Sequence, residues 1–251
     1  MISDCGRLGM SRVLIIPDLH IPAVRPGFLQ FCRDLYEQWD CGQVVFLGDV
    51  VDWHAISFWT RHPELPGPKD EYELAYAEVK KWSDAFPDAS VCVGNHDERP
   101  ARLAKTVSIP EFMLRPYNEI WPAPGWVWAR RFYQDGAVFM HGTGCSGIHP
   151  AWNLMNNKMH ESVVIGHCHT RAGVKWSSNK RERKFGMDCG CGIDEEKYNF
   201  AYSSDNPIRP FLSAAVLIDG VPYLEPMRCG KGEPYHDSKF RKRSRQAVPQ
   251  E

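Results

Sequence analysis

Arg12-Val-Leu-Ile-Ile-Pro-Asp-Leu-His20 and Gln43-Val-Val-Phe-Leu-Gly-Asp-Val-Val-Asp52 decide the fold. Each opens on a short, unbroken apolar run flanked by polar residues, the pattern of a strand buried on both faces. Between them Phe28, Phe31, Cys32, Leu35, Tyr36 and Trp39 recur at i, i+3, i+4, i+7, i+8 and i+11, one face of an amphipathic helix. Strand, helix, strand is a crossover unit, and it predicts a parallel pair.

The rhythm continues outward. Residues 71–86, rich in Ala, Glu, Lys and Leu, predict a second helix with Leu74, Val79, Trp82 and Phe86 among its apolar positions. It leads into a strand at 90–93 and then Gly94-Asn-His-Asp97. Runs at 126–133 and 137–140 flank Gln134-Asp135-Gly136, a hairpin signal, and 211–218 and 221–224 flank Asp219-Gly220, a second one. Residues 163–165 form another short strand. Alternation early and hairpins late predict a mixed α/β chain: two packed mixed sheets with helices outside and no internal repeat.

The 251 residues are 43% hydrophobic and 24% charged, with a net charge of −1, which excludes a disordered or fibrous chain. The balance gives no overall field for gripping nucleic acid. No apolar run approaches the ~20 residues of a membrane span, so no membrane association is expected. Residues 1–10 lack the apolar core of a signal peptide, and Met10 reads as a plausible true start. Nine cysteines without a C-x-x-C pair point to a reducing, cytoplasmic setting and to plain core residues. The closest pair, Cys189 and Cys191, suggests metal binding by its proximity alone and is expected to be two core residues. One domain is expected over residues 10–227, followed by a polar, basic tail at 228–251. Stretches 53–70 and 98–125 break the rhythm with Pro and aromatics such as Trp53, Trp59, Tyr117 and Trp121, and read as cap loops over a cleft.

The chemistry lies at the strand ends. Asp18 and His20 follow the first strand, Asp49 the second, Asn95 and His96 the third, His141 the run 137–140, and His167 and His169 the run 163–165. In open sheets, ligands collect beyond the carboxyl ends of the strands, so these residues should converge. Carboxylate, amide oxygen and imidazole suit Mn²⁺, Fe, Zn²⁺, Ni or Mg²⁺. Seven donors exceed one tetrahedral ion and match two ions roughly 3.5–4 Å apart sharing a carboxylate.

Asp18-Leu-His20, Gly48-Asp-Val-Val-Asp52, Gly94-Asn-His-Asp97, His141-Gly142 and Gly166-His-Cys-His169 resemble, in order, the five motif blocks of the calcineurin-like metallophosphoesterase superfamily. The resemblance implies the calcineurin-like fold of two mixed sheets between helices. It implies that Asp18, His20 and His169 hold one metal, that Asn95, His141 and His167 hold the other, and that Asp49 bridges both. His96 would face the substrate as proton donor. Asp97 is placed to orient His96, while Arg99 and His54 are candidate substrate contacts.

Trp53 and Asp97 stand where the family's protein phosphatases carry Arg and Glu, and the chain looks more like small bacterial or phage-type members. The expected activity is hydrolysis of a phosphodiester of nucleotide or nucleic-acid type by a metal-bridging hydroxide, with Mn²⁺ the first choice of ion. The alternatives are a phosphomonoesterase or nucleotide pyrophosphatase acting on a small molecule, and a metal-bound scaffold with little turnover. The sequence leaves the oligomeric state open.

Overall fold

Strand β1 (Arg12–Ile16) alternates strictly. Leu14 and Ile16 face one way, Val13 and Ile15 the other, and all four are fully buried. A strand with no polar face must be covered on both sides, and the layers of the fold follow from that. The computed structural model of the chain describes residues 11–58, 63–197 and 209–228. Trp59 and the basic tail from residue 229 onward lie outside them.

The first sheet has the order β11-β10-β1-β2-β3-β4. Here β2 is Gln43–Phe46, β3 Ala89–Cys92, β4 Trp126–Ala129, β10 Ser213–Ile218 and β11 Val221–Pro226. Strands β1 to β4 are parallel neighbours, as the crossover predicts, and β10 and β11 add an antiparallel hairpin at the far side. The second sheet has the order β5-β6-β7-β9-β8, with β5 at Arg131–Gln134, β6 at Ala137–Met140, β7 at Ser162–Ile165, β8 at Ala172–Ser178 and β9 at Arg183–Cys189.

Helices α1 (Phe28–Gln38) and α2 (Pro68–Ala85) cover the outer face of the first sheet. Phe28, Phe31, Leu35, Val79 and Trp82 pack there with Leu14, Ile16, Phe46 and Val91. Between the sheets, Val13, Ile15, Val45, Leu47 and Cys92 meet Phe139, Val164, Phe185 and Met187. Helix α5 (Pro150–Leu154) closes the other side against Val138, Val163 and Ile165. Each large side chain so buried contributes about 1.5–3 kcal/mol of transfer free energy. The expected α/β architecture of two mixed sheets flanked by helices is what the chain adopts.

Two expectations need correction. Leu74 is 51% exposed, because the buried stripe of α2 runs through Glu71, Ala75, Val79 and Trp82 and leaves Leu74 to one side. The run 126–133 is two strands: β4 pairs with β3 in the first sheet, β5 pairs with β6 in the second, and Arg130 alone separates them. The β8–β9 hairpin has no clear alternation in the sequence; Phe185, Met187 and Cys189, with Val174 packed against them, form its inward row.

Candidate metal centre

Every chemistry-bearing residue named above except His54 and Arg99 sits at or just past the carboxyl end of a parallel strand, and the two sheets bring those ends together. Asp18, His20, Asp49 and His169 have donor atoms that all lie within 4.8 Å of one another, and so do Asp49, His141 and His167. Asp49 belongs to both groups. Asn95 joins the second, its Oδ1 3.1 Å from His141 Nε2. Asp18, His20, Asp49 and His141 are buried.

Donors face donors here. His20 Nε2 lies 3.2 Å from His169 Nε2, which lies 3.0 Å from Asp18 Oδ2. His141 Nε2 lies 3.2 Å from both His167 Nδ1 and Asp49 Oδ2. These separations are close to the edge, about 3 Å, of a coordination octahedron with bonds of ~2.1 Å. The far sides of two rings are already engaged: His20 Nδ1 bonds Asp52 Oδ1 at 2.8 Å and His141 Nδ1 bonds the Leu47 carbonyl at 2.9 Å. With a metal bound, each ring would be neutral and donate its Nδ1–H there, leaving the Nε2 lone pair to the cluster.

The electrostatics favour a cation. Asp18, Asp49, Asp52 and Asp97 are four carboxyls at most 2% exposed. Burial alone would protonate them. For Asp18 and Asp49 burial is outweighed by neighbouring imidazoles, His141 first, and both stay below the usual carboxylate range. Burial pulls His141 down, yet Asp49 and Asp18 overcome it and lift the ring to about 10. Arg99 reaches only the Asp52 edge, 3.9 Å from its carboxylate; around Asp18 and Asp49 the imidazoles carry the positive charge as protons, and a divalent ion would satisfy the same field. Burial and the charge on His96 push His20 down to about 4, keeping it neutral as a ligand must be.

The backbone is shaped for the cluster. His20, Asp49 and His167 hold positive φ angles of 48°, 47° and 65°, a region non-glycine residues avoid. The His96 amide donates to Asp49 at 2.7 Å, and the His167 amide donates to Asp18 at 3.0 Å. Glycine is required at two of these loops by proximity: a Cβ on Gly94 would fall on the Asp49 carboxylate, and one on Gly166 on that of Asp18.

Asp97 does not orient His96. Its carboxyl accepts from the Gly94 and Val51 amides at 2.9 and 3.2 Å, and burial together with Asp49 raises it to about 7. Adjacency in sequence misled because the Asp97 side chain turns back into its own loop. The orienting residue is Asp52, whose Oδ1 lies 2.8 Å from both His20 Nδ1 and His96 Nδ1. Burial would raise the Asp52 carboxyl, but those two imidazoles hold it far down. His96 Nε2 lies 4.0 Å from Asp49 Oδ2. Arg99 closes the edge: Nη2 stands 3.0 Å from His96 Nε2, and Nη1 donates to the Asp52 carbonyl at 2.7 Å.

His54 lies on a short turn whose amides at His54 and Ala55 donate to the buried Glu71 carboxylate at 2.6 and 2.7 Å, and its ring comes within 4.0 Å of Asp52. Trp53 and Trp121, expected over the cleft, pack on each other and on Tyr72, and Tyr117 stacks on Trp128. Cys189 and Cys191 are fully buried, burial drives both thiols up, and no cysteine joins a donor group among the described residues.

A family model described as calcineurin-like phosphoesterase matches residues 11–201. No curated protein sequence matches the chain. Among solved structures, Vacuolar Protein Sorting 29 from Cryptosporidium parvum aligns at 15% identity over 86% of this chain and 95% of that one, TM-score 0.41. A nuclease MPE of Pseudomonas putida aligns at 15% over 85% and 86%, TM-score 0.39. A metallophosphoesterase from Sphaerobacter thermophilus aligns at 14% over 88% and 89%, TM-score 0.42.

Proposed function

The chain belongs to the calcineurin-like phosphoesterase family, and from that we propose a dinuclear-metal phosphodiesterase acting on a nucleotide or nucleic-acid type of substrate. The observation that carries the reading is one buried carboxylate, Asp49, shared by two donor groups. In this reading Asp18, His20 and His169 hold one divalent ion, Asn95, His141 and His167 hold the other, and Asp49 binds both. Two such ions, Mn²⁺ the first choice, would supply a hydroxide nucleophile near neutral pH and neutralise charge on the phosphoryl oxygens.

The remaining steps belong to the protein. Asp52 fixes the rings of His20 and His96 from behind. His96, held through Nδ1, would present Nε2 to the departing oxygen and, once Arg99 has left that nitrogen and the ring is protonated, deliver its proton there. Arg99, now on that nitrogen, is within reach of a phosphoryl oxygen once substrate displaces it. His54 stands next to Asp52 at the substrate side.

The test is hydrolysis of bis-p-nitrophenyl phosphate beside p-nitrophenyl phosphate by metal-stripped protein, with and without Mn²⁺. Metal-dependent preference for the diester is expected. Preference for the monoester would replace the reading with a phosphomonoesterase. Turnover of neither, with two ions bound, would leave the scaffold.

A further inference from the structure

Among the described residues of the stretch 53–70, Phe58 is the aromatic ring that stands in solvent. Trp53, Tyr72, Tyr117 and Trp121 are spent on packing one another, whereas Phe58 is 54% exposed. The guanidinium of Arg102 lies over it, 5.4 Å from the ring centroid. Arg102 sits on helix α3 (Arg99–Thr106), three residues after Arg99, so the two share a helix face. Arg99 touches His96 Nε2, the atom assigned to the leaving group. A path therefore runs outward from the metal cluster through His96 and Arg99 to the Arg102–Phe58 pair, about one helical turn or ~5 Å further along.

Resting on the phosphodiesterase reading, we infer that Phe58 and Arg102 form a subsite for a nucleobase on the leaving-group side of the scissile phosphate. A flat ring backed by a guanidinium offers a stacking platform to any base and a positive charge to a neighbouring phosphate. A half-exposed phenyl ring costs free energy in water and gains it when a base covers it. Its neighbours along the path, Arg99 and Arg102, bring two positive charges to the side where an anionic chain would leave.

The test uses calorimetric binding to the full chain loaded with Mn²⁺. The probes are adenosine 5′-monophosphate and ribose 5-phosphate, which differ only by the base. The subsite predicts that the nucleotide binds about tenfold tighter or more, the worth of one stacked base. Phe58→Ala should bring that ratio close to one, Phe58→Tyr should restore it, and Arg102→Ala should lower it. Equal affinity for both probes in the native chain, or a ratio that survives Phe58→Ala, would overturn the subsite. If bis-p-nitrophenyl phosphate is hydrolysed and the ratio is one, the subsite fails and the phosphodiesterase reading stands. If the ratio behaves as expected without turnover of either nitrophenyl ester, the catalytic reading fails and the base subsite stands.

Discussion

The two ends of the second sheet carry similar side chains and put them to different uses. At the carboxyl ends of β6 and β7, His141, His167 and His169 are drawn together with buried Asp18 and Asp49. At the opposite end of the same strands, Asp135, His160, Glu161, Glu182, Arg183 and Lys184 line a cavity of about 440 Å³. There Lys184 meets Glu182 at 2.7 Å with the glutamate side chain half exposed. That ion pair is satisfied and screened. At the site end carboxylates outnumber cations, the carboxylates are buried and the imidazole nitrogens face one another. Acid and base residues become a site when burial leaves their charge unbalanced; composition alone does not distinguish the ends.

The contrast can be broken at several points. Asp49→Ala should lose both ions together and reduce turnover at least about a thousandfold, ~4 kcal/mol of barrier. Metal analysis of the purified variant is the check, and retention of two ions would remove the shared carboxylate from the account. His96→Ala should keep both ions and lose about 10²–10⁴ in kcat, read in the same nitrophenyl assay. Asp52→Asn leaves the site's shape but weakens the acceptor for two rings; metal affinity should fall about 10–100-fold in a chelator titration.

Asp188 sharpens the comparison from the site end, because it is buried yet faces an amide, that of Ala151, and not a cation cluster. Burial raises its carboxyl from 3.8 to about 6. The folded state thus binds this proton more tightly than the unfolded chain does, and stability is lost as pH rises from about 4 to about 6. Asp188→Asn can still accept the Ala151 amide without carrying charge. Its thermal midpoint should gain on the native protein between pH 5 and pH 7.5, and a gap that does not change with pH would refute the assignment. Lys184→Met, at the opposite end, should leave metal content unchanged and cost no more than about 1 kcal/mol in denaturant unfolding.

Much of this was legible because the informative residues are local. A short apolar run followed by Gly-Asp or Gly-Asn-His marks a strand and its exit without knowledge of the rest of the chain. Seven candidate ligands fall at such exits, and the chain brings them together. Asp52, three residues past Asp49 in the same motif, reads from sequence equally as a supporting or substrate contact and as loop packing. Its importance comes from His20 and His96, which reach it from two other loops, and only tertiary structure brings them within 2.8 Å. The same cause credited Asp97 with a role that its side chain cannot fill. The unbroken apolar run around Arg130 hid a change of sheet, since pairing partners and not residue types separate β4 from β5. Phe58 was hidden among aromatics of equal hydrophobicity, and its exposure together with the Arg102 guanidinium over its ring sets it apart.

The order in which the strands were laid down has a consequence for synthesis. The chain leaves the first sheet after β4, builds the whole of the second, and returns to place β10 beside β1. Asp18, at the end of β1, has its backbone carbonyl bonded by the Gly192 amide and its carboxylate by that of His167. A nascent chain stopped anywhere before these segments would carry acidic and imidazole groups with no enclosure to hold them. Ions bound at that stage would exchange freely with the surroundings. On the proposed reading, the choice of metal would therefore fall to a nearly finished protein, in whatever compartment it completes its folding.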